Sequence, residues 1–300
     1  MKLSIIGLGK MGANMTRRLL ADNHEVVVYD MNPEPVKQLE KEGAIAASGL
    51  ENIVEQLPSP RVVWMMIPAG DPVKQTAKKL SSLLEKGDIL IDGGNSNFND
   101  TVELAEQLAS EGIGLLDAGT SGGVWGLEVG YCLMVGGTKE AFEKVEPAFK
   151  TLAPKDGYLH VGESGAGHYV KMIHNGIEYG IMQAYAEGFD MLEHSQFSLN
   201  LPGIAGLWNQ GSVIRSWLLE LSEIMLKENN QLEGIKGYVP DSGEGRWTVE
   251  ESIKLRIPTP VITASLQARF RSRRENTFSD RFLAALRNQF GGHAMKKVNE

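Results

Sequence analysis

The chain opens on an apolar run, a glycine-rich turn, an amphipathic stretch and a second apolar run that ends in an acid. These are KLSIIG (2–7), Gly7-Leu8-Gly9-Lys10-Met11-Gly12, a helical pattern over 11–21, and EVVVYD (25–30). Few folds accept that order. Glycines in a G-x-G-x-x-G spacing let the backbone turn tightly, approach a ligand and press a helix on a strand, and the helix N-terminus favours a pyrophosphate. A tight strand-to-helix turn without a ligand is the alternative reading. Asp30 follows Gly12 by 18 residues, where an acid accepts hydrogen bonds from both ribose hydroxyls and repels a 2′-phosphate. Met31 and Asn32 supply no cation to offset that repulsion, and Lys37 is the nearest. The expected cofactor is NAD, with NADP the weaker alternative.

The alternation continues. Apolar runs recur at 61–68, 88–94, 112–119, 132–137 and 158–162, with helical periodicity over 35–42, 73–84 and 101–110 between them. This pattern indicates an α/β fold built on a Rossmann-type, doubly wound parallel sheet. Strand signals stop after about residue 163, and helical patterns follow at 167–193, 212–227 and 278–288. We therefore expect a dinucleotide-binding domain over 1–163 and an all-helical substrate and oligomerisation domain over 164–300. Three further loops should reach the carboxyl edge of the sheet, where ligands of such folds sit. Ile67, Pro68 and Ala69 would line the cofactor, and Asn95 would stand where nicotinamide and substrate meet. Ser121, Gly122 and Gly123 would offer a hydroxyl and backbone N–H groups to an oxygen-rich ligand. Taken singly, each of these is also an ordinary turn sequence.

Bulk properties narrow the partners. A net charge of −8 argues against nucleic acid, and the apolar runs are too short and glycine-rich for a signal peptide or a membrane span. The single cysteine, Cys132, allows no internal disulfide and fits a reducing, cytoplasmic setting. The six histidines (24, 160, 168, 174, 194 and 293) show no i, i+4 pairing, so no metal site is expected.

The segment KMIHNGIEYG (171–180) concentrates reactive side chains on a helix. At about 100° per residue, Lys171, His174, Asn175 and Glu178 share one arc, while Val170, Ile173, Ile177, Ile181 and Ala184 form a separate apolar stripe expected to pack. A lysine of depressed pKa can take a hydroxyl proton during hydride removal, and a glutamate of raised pKa can return one later. His174 and Asn175 would hold hydroxyls and a carboxylate. Gly176 and Gly180 would let a ligand or neighbouring backbone come close, at about 1 kcal/mol each in a helix. The competing reading is a solvated face that only aids solubility.

Together GLGKMGANM, DGGNSNFNDT, the TSGG loop, HYVKMIHNGIEYGIMQAYAEG and RNQFGGH near the end make the chain resemble the decarboxylating 6-phosphogluconate dehydrogenase family, within the β-hydroxyacid dehydrogenase superfamily. The resemblance runs over essentially the whole length and looks like the short form of that family. It implies oxidative decarboxylation of 6-phosphogluconate to ribulose 5-phosphate in the pentose phosphate pathway. Lys171 is then implied as the base at C3 and Glu178 as the proton donor to C1. The same resemblance assigns Asn95, Ser121, Gly122, Gly123, His174 and Asn175 to the carboxylate and hydroxyls, and Tyr179, Arg269, Arg287 and His293 to the phosphate. It further implies a homodimer or homotetramer whose C-terminal tail, bearing Arg287 and His293, completes a neighbour's site. Where longer members place a lysine and a threonine beside the phosphate, this chain has Ser242 and Glu244. That loop is expected to arrange itself differently, through Arg246. Alternatives are a non-decarboxylating dehydrogenase of a small unphosphorylated acid, and a nicotinamide-binding sensor that has lost catalysis.

Overall fold

The computed structural model describes residues 1–297. The chain divides into two compact units, the first from Met1 to His174 and the second from Asn175 onward.

Eight strands form the sheet of the first unit. They are β1 (Lys2–Ile6), β2 (Glu25–Tyr29), β3 (Ile45–Ala46), β4 (Val62–Met65), β5 (Ile89–Asp92), β6 (Gly114–Ser121), β7 (Cys132–Gly137) and β8 (Tyr158–Gly162), in the order β3-β2-β1-β4-β5-β6-β7-β8. The helices between them are α1 (Lys10–Ala21), α2 (Pro33–Lys41), α3 (Leu50–Gln56), α4 (Asp71–Ser81), α5 (Phe98–Ser110), α6 (Gly126–Val129) and α7 (Lys139–Leu152). Because strand side chains alternate between faces, the apolar runs feed two cores. Leu3, Ile5, Trp64 and Ile91 enter one, and Ile6, Val63, Met65 and Leu90 enter the other. A sheet buried on both faces accounts for runs that are apolar throughout rather than alternating.

Two strands depart from the expected parallel arrangement, β7 and its parallel neighbour β8. β7 pairs antiparallel with β6, Ser121 opposite Cys132 and Leu116 opposite Gly137. The connection carries only a 3₁₀ turn (Gly123–Trp125) and the four-residue α6, which is too short for the crossover that a parallel pair requires.

Helix α8 (Ala166–Glu193) begins in the first unit and ends in the second. Its first turn is fastened by Asp117, a fully buried residue of β6. One carboxylate oxygen accepts Gly165 N–H and the other accepts His168 N–H, each at 2.8 Å. A helix leaves its first N–H groups without internal partners, and Asp117 takes two of them. Close approach is possible because Gly136 and Gly167 lack side chains. A Cβ at Gly167 would lie 2.3 Å from the Asp117 carbonyl oxygen and 2.5 Å from that of Met134.

The regular elements of the second unit are, among the described residues, all helical: the rest of α8, then α9 (Leu201–Trp208), α10 (Trp217–Glu228), α11 (Glu244–Leu255), α12 (Pro260–Ser272) and α13 (Phe278–Gly291). Leu201, Ala205, Leu219 and Leu226 form its small core, with Tyr185, Phe189 and Trp208 packed against it. No helix is long and apolar enough to cross a membrane among the described residues.

Candidate active site

The three glycines of the first turn serve three separate purposes. Gly7 adopts φ +92°, and a Cβ there would strike the Met66 carbonyl oxygen at 2.4 Å. A Cβ on Gly12 would lie 2.0 Å from the Gly7 carbonyl oxygen, so α1 can pack on the turn only with glycine at that position. Gly9 has open space where a side chain would stand, which is what close approach of a pyrophosphate requires. A groove of about 490 Å³ opens beside it, lined by Gly9, Lys10, Asn14 and Arg17 among others. Asp30, just past β2, accepts Leu8 N–H at 2.6 Å and Asn32 N–H at 2.8 Å. Its carboxylate is thereby fixed at the mouth of the turn. Met31 is 93% exposed, and Lys37 is paired with Glu34 at 3.0 Å. These residues fit a dinucleotide.

The loop after β5 is braced by buried Asp92, which accepts Gly94 N–H at 3.0 Å and the Ser96 hydroxyl at 2.6 Å. Asn95, between those two donors, is exposed. At the end of β6, Gly122 and Gly123 adopt φ of +130° and +53°, and Ser121 turns its hydroxyl to within 3.4 Å of His174 Nε2. Lys171 Nζ lies 3.5 Å from His174 Nδ1, and Lys171 is 7% exposed. Ser121, His174 and Lys171 thus form one hydrogen-bonded series within the first unit. With Lys171 donating a hydrogen bond to Nδ1, the neutral imidazole carries its proton on Nε2 and donates to the Ser121 hydroxyl oxygen.

Burial along α8 reverses the expectation drawn from polarity. Lys171, Asn175 and Tyr179 are buried, whereas Val170, Ile177 and Ile181 of the apolar stripe are 37%, 51% and 39% exposed. The buried positions 168, 171, 172, 175, 176, 179 and 180 are themselves a helical stripe. The reason is the company each face keeps. A Cβ at Gly176 would lie 2.7 Å from Thr248 Cγ2, and one at Gly180 would lie 3.3 Å from Val261 Cγ1. The glycines therefore admit side chains of α11 and α12 to the polar face.

Within the second unit, Asn175 Nδ2 donates to Glu244 Oε1 at 2.9 Å, and the Arg269 guanidinium stands 3.5 Å from the centre of the Tyr179 ring. Arg269 also donates to the Pro240 carbonyl oxygen at 3.0 Å. Arg246 reaches the residue immediately before the 242–244 loop. It is paired with the buried carboxylate of Asp241 at 2.8 Å, and Arg273 bonds that carboxylate's other oxygen at 3.1 Å. Glu178 is half-buried on α8. Arg287, on α13, and His293, just beyond it, are both exposed. Among the described residues, no hydrogen bond or ion pair joins either of them to Tyr179 or Arg269. Asp117, Gly119 and Asp241 escaped the sequence reading. An aspartate inside the apolar run GIGLLDAG was the one available sign of the first.

The chain matches the NAD binding domain of 6-phosphogluconate dehydrogenase over residues 2–162 and the 6-phosphogluconate dehydrogenase C-terminal domain over residues 167–299. It is 48% identical over 297 residues to YqeC of Bacillus subtilis (strain 168), covering 99% of this chain and 100% of that one. It is 42% identical to the NAD(+)-dependent, decarboxylating 6-phosphogluconate dehydrogenase of Haloferax volcanii, over 100% of both chains. The solved structure of Plasmodium falciparum 6-phosphogluconate dehydrogenase matches with a TM-score of 0.85 at 28% identity, over 100% of this chain and 67% of that one. The chain belongs to the 6-phosphogluconate dehydrogenase family.

Proposed function

We propose that the protein oxidatively decarboxylates 6-phosphogluconate to ribulose 5-phosphate and carbon dioxide, with NAD preferred over NADP. The observation that carries this reading is the series Ser121–His174–Lys171, which holds a buried lysine beside the TSGG loop. Gly7 to Gly12 and Asp30 would hold the dinucleotide, with Ile67, Pro68, Ala69 and Asn95 beside its nicotinamide end. A bound nicotinamide would supply the hydride acceptor for C3 of the substrate. Lys171 takes the C3 hydroxyl proton as the carbonyl forms. Protonated, it then hydrogen-bonds that carbonyl oxygen while the carboxylate leaves and the β-carbonyl receives the electron pair. The Lys171 proton passes to that oxygen to give the enediol, and Glu178 then delivers a proton to C1 as the oxygen returns its proton to Lys171, leaving the ketone. Asn95, Ser121, Gly122, Gly123, His174 and Asn175 orient the carboxylate and hydroxyls. Arg269, whose planar fork suits phosphate, takes the far end beside Tyr179. In this reading residues 1–163 bind the cofactor, and residues 164–300 complete the substrate site and the assembly.

The active form in this proposal is a homo-oligomer. Phe278, Phe282, Leu286 and Phe290 lie four residues apart along α13, and all are exposed, from 47% to 74%. A second copy covering that stripe would bring Arg287 and His293 toward a neighbour's phosphate. Full activity from a species that sediments as a monomer at micromolar concentration would overturn this part.

The test of the reaction is to mix the protein with 6-phosphogluconate and NAD, follow reduced nicotinamide by absorbance, and trap carbon dioxide. One carbon dioxide per reduced nicotinamide is expected. Reduction without carbon dioxide would refute decarboxylation, and no reduction with either dinucleotide would refute the substrate.

A further inference from the structure

His168 stands on the first turn of α8 and is 2% exposed. Two groups from different parts of the first unit hold it. Its backbone N–H donates to Asp117 of β6 at 2.8 Å, and its ring nitrogen Nδ1 lies 2.8 Å from Thr101 Oγ1 on α5. Thr101 is 1% exposed, and its hydroxyl also lies 3.3 Å from the Asn97 carbonyl oxygen. One arrangement satisfies both contacts: the hydroxyl donates to the carbonyl and accepts from Nδ1–H. The other ring nitrogen, Nε2, is buried with no hydrogen-bond partner among the described residues. The bond to Thr101 is therefore the ring's one polar commitment.

Around that bond the starts of α5 and α8 meet closely. A Cβ at Gly165 would lie 2.7 Å from Val102 Cγ2 and 3.2 Å from the Phe98 carbonyl oxygen, and the Phe98 and Tyr169 rings meet edge to face at 5.0 Å. Apolar contact is non-directional and tolerates sliding. A buried hydrogen bond does not, because it weakens steeply with distance and angle. The Thr101–His168 bond thus sets the register between the two helices, and each helix carries part of the candidate site. Asn95 lies just ahead of α5, next to Ser96, which Asp92 holds, and close to Asn97, which caps α5 by accepting Asn99 N–H. Lys171 follows His168 by less than one turn of α8. All of these residues belong to the first unit.

We propose that His168 is a positioning residue that, through Thr101, keeps Asn95 and Lys171 in register for removal of hydride and proton from one alcohol carbon. This rests on the proposed 6-phosphogluconate reaction. The nicotinamide side and the base side of that alcohol must be placed together, and the bond joins the two segments that place them.

The test measures kcat, the KM for NAD and the denaturant midpoint in Thr101→Val, in His168→Leu, in the two combined, and in His168→Asn. Valine and leucine remove the bond from either side and keep apolar bulk. Each alone is expected to lower kcat about tenfold, part of the about 10²-fold cost of a 1 Å displacement, with the KM for NAD within about twofold of native. The combined variant should be no slower than either single one, because both act through one bond. It leaves neither partner's polar atom unpaired, so its midpoint should match or exceed the native one while kcat stays low, which separates register from stability. Asparagine carries an amide group as far from the backbone as Nδ1, keeps the bond, and should hold kcat within about twofold of native. Unchanged kcat in the single variants, recovery of kcat together with stability in the combined variant, or an asparagine variant as slow as the leucine one would each overturn the role. Absence of turnover by the unsubstituted protein would instead overturn the reaction itself, and this role with it.

Discussion

Lys171 packs directly on Gly119: a Cβ at position 119 would stand 2.5 Å from the Lys171 Cβ and 2.7 Å from the Gly167 carbonyl oxygen. Neither neighbour is the loose end of a flexible chain, so α8 itself must move to admit a methyl group. Gly119→Ala is therefore expected to lower kcat by about 10²-fold, the cost of displacing a reacting group by about 1 Å. The KM for NAD should hardly change, because the glycine turn that would bind it is elsewhere on the sheet edge. Steady-state kinetics of the variant measures both, and an unchanged kcat would show that the position of Lys171 is not set by this contact.

In the proposed reading, cofactor choice turns on Asp30. Its oxygens are anchored by Leu8 N–H and Asn32 N–H, and Lys37, the next lysine along the chain, is paired with Glu34. A 2′-phosphate brought to that carboxylate meets like charge. Asp30→Ser should raise the ratio of kcat/KM for NADP over NAD by tenfold or more, about 1.4 kcal/mol. Absolute rates with NAD should also fall as the ribose contacts are lost. A ratio unaltered by the substitution would locate the selectivity elsewhere.

How much of this could be read from the residues depends on what set each feature. The strand–turn–helix around Gly7, Gly9 and Gly12 was legible because packing leaves no room for a side chain at Gly7 or Gly12, and the open space at Gly9 suits close approach of a ligand. The direction of β7 was not, since an apolar run such as CLMVGG carries no sign of whether its neighbour runs with it or against it. Helix α7 was hidden by Pro147, which reads as a break although the helix continues through it. On α8 the polar arc was found, but its surroundings were inverted. Side-chain polarity suggested that Ile177 and Ile181 would pack, whereas Thr248 and Glu244, some 70 residues on, decide which face is covered. Glu244 shows the same limit from the other side. Its charge excluded a phosphate contact, but nothing local marked Asn175 as its partner.

Stability should respond to pH through His24. Burial lowers its pKa from the usual value, and its ring bonds Thr151 Oγ1 at 2.9 Å. The unfolded chain therefore takes up a proton more readily than the folded one. The stabilising contribution is fully present above about pH 6.5, the ordinary histidine value, and is lost as pH falls through the lower folded pKa. Denaturant midpoints for the native protein should decline below pH 6.5 more steeply than those for His24→Gln. Parallel declines in the two proteins would mean that other groups carry the dependence.

The account rests above all on Lys171 as the base, and substitution by methionine addresses it most directly, since methionine keeps the length of the side chain and removes the amine. NAD affinity, followed by quenching of protein fluorescence, is measured beside turnover of 6-phosphogluconate in Lys171→Met. The account expects unchanged NAD affinity with turnover reduced at least ~10³-fold, within the range that positioned proton transfer supplies. Turnover comparable to that of the native protein, with NAD still bound, would contradict it.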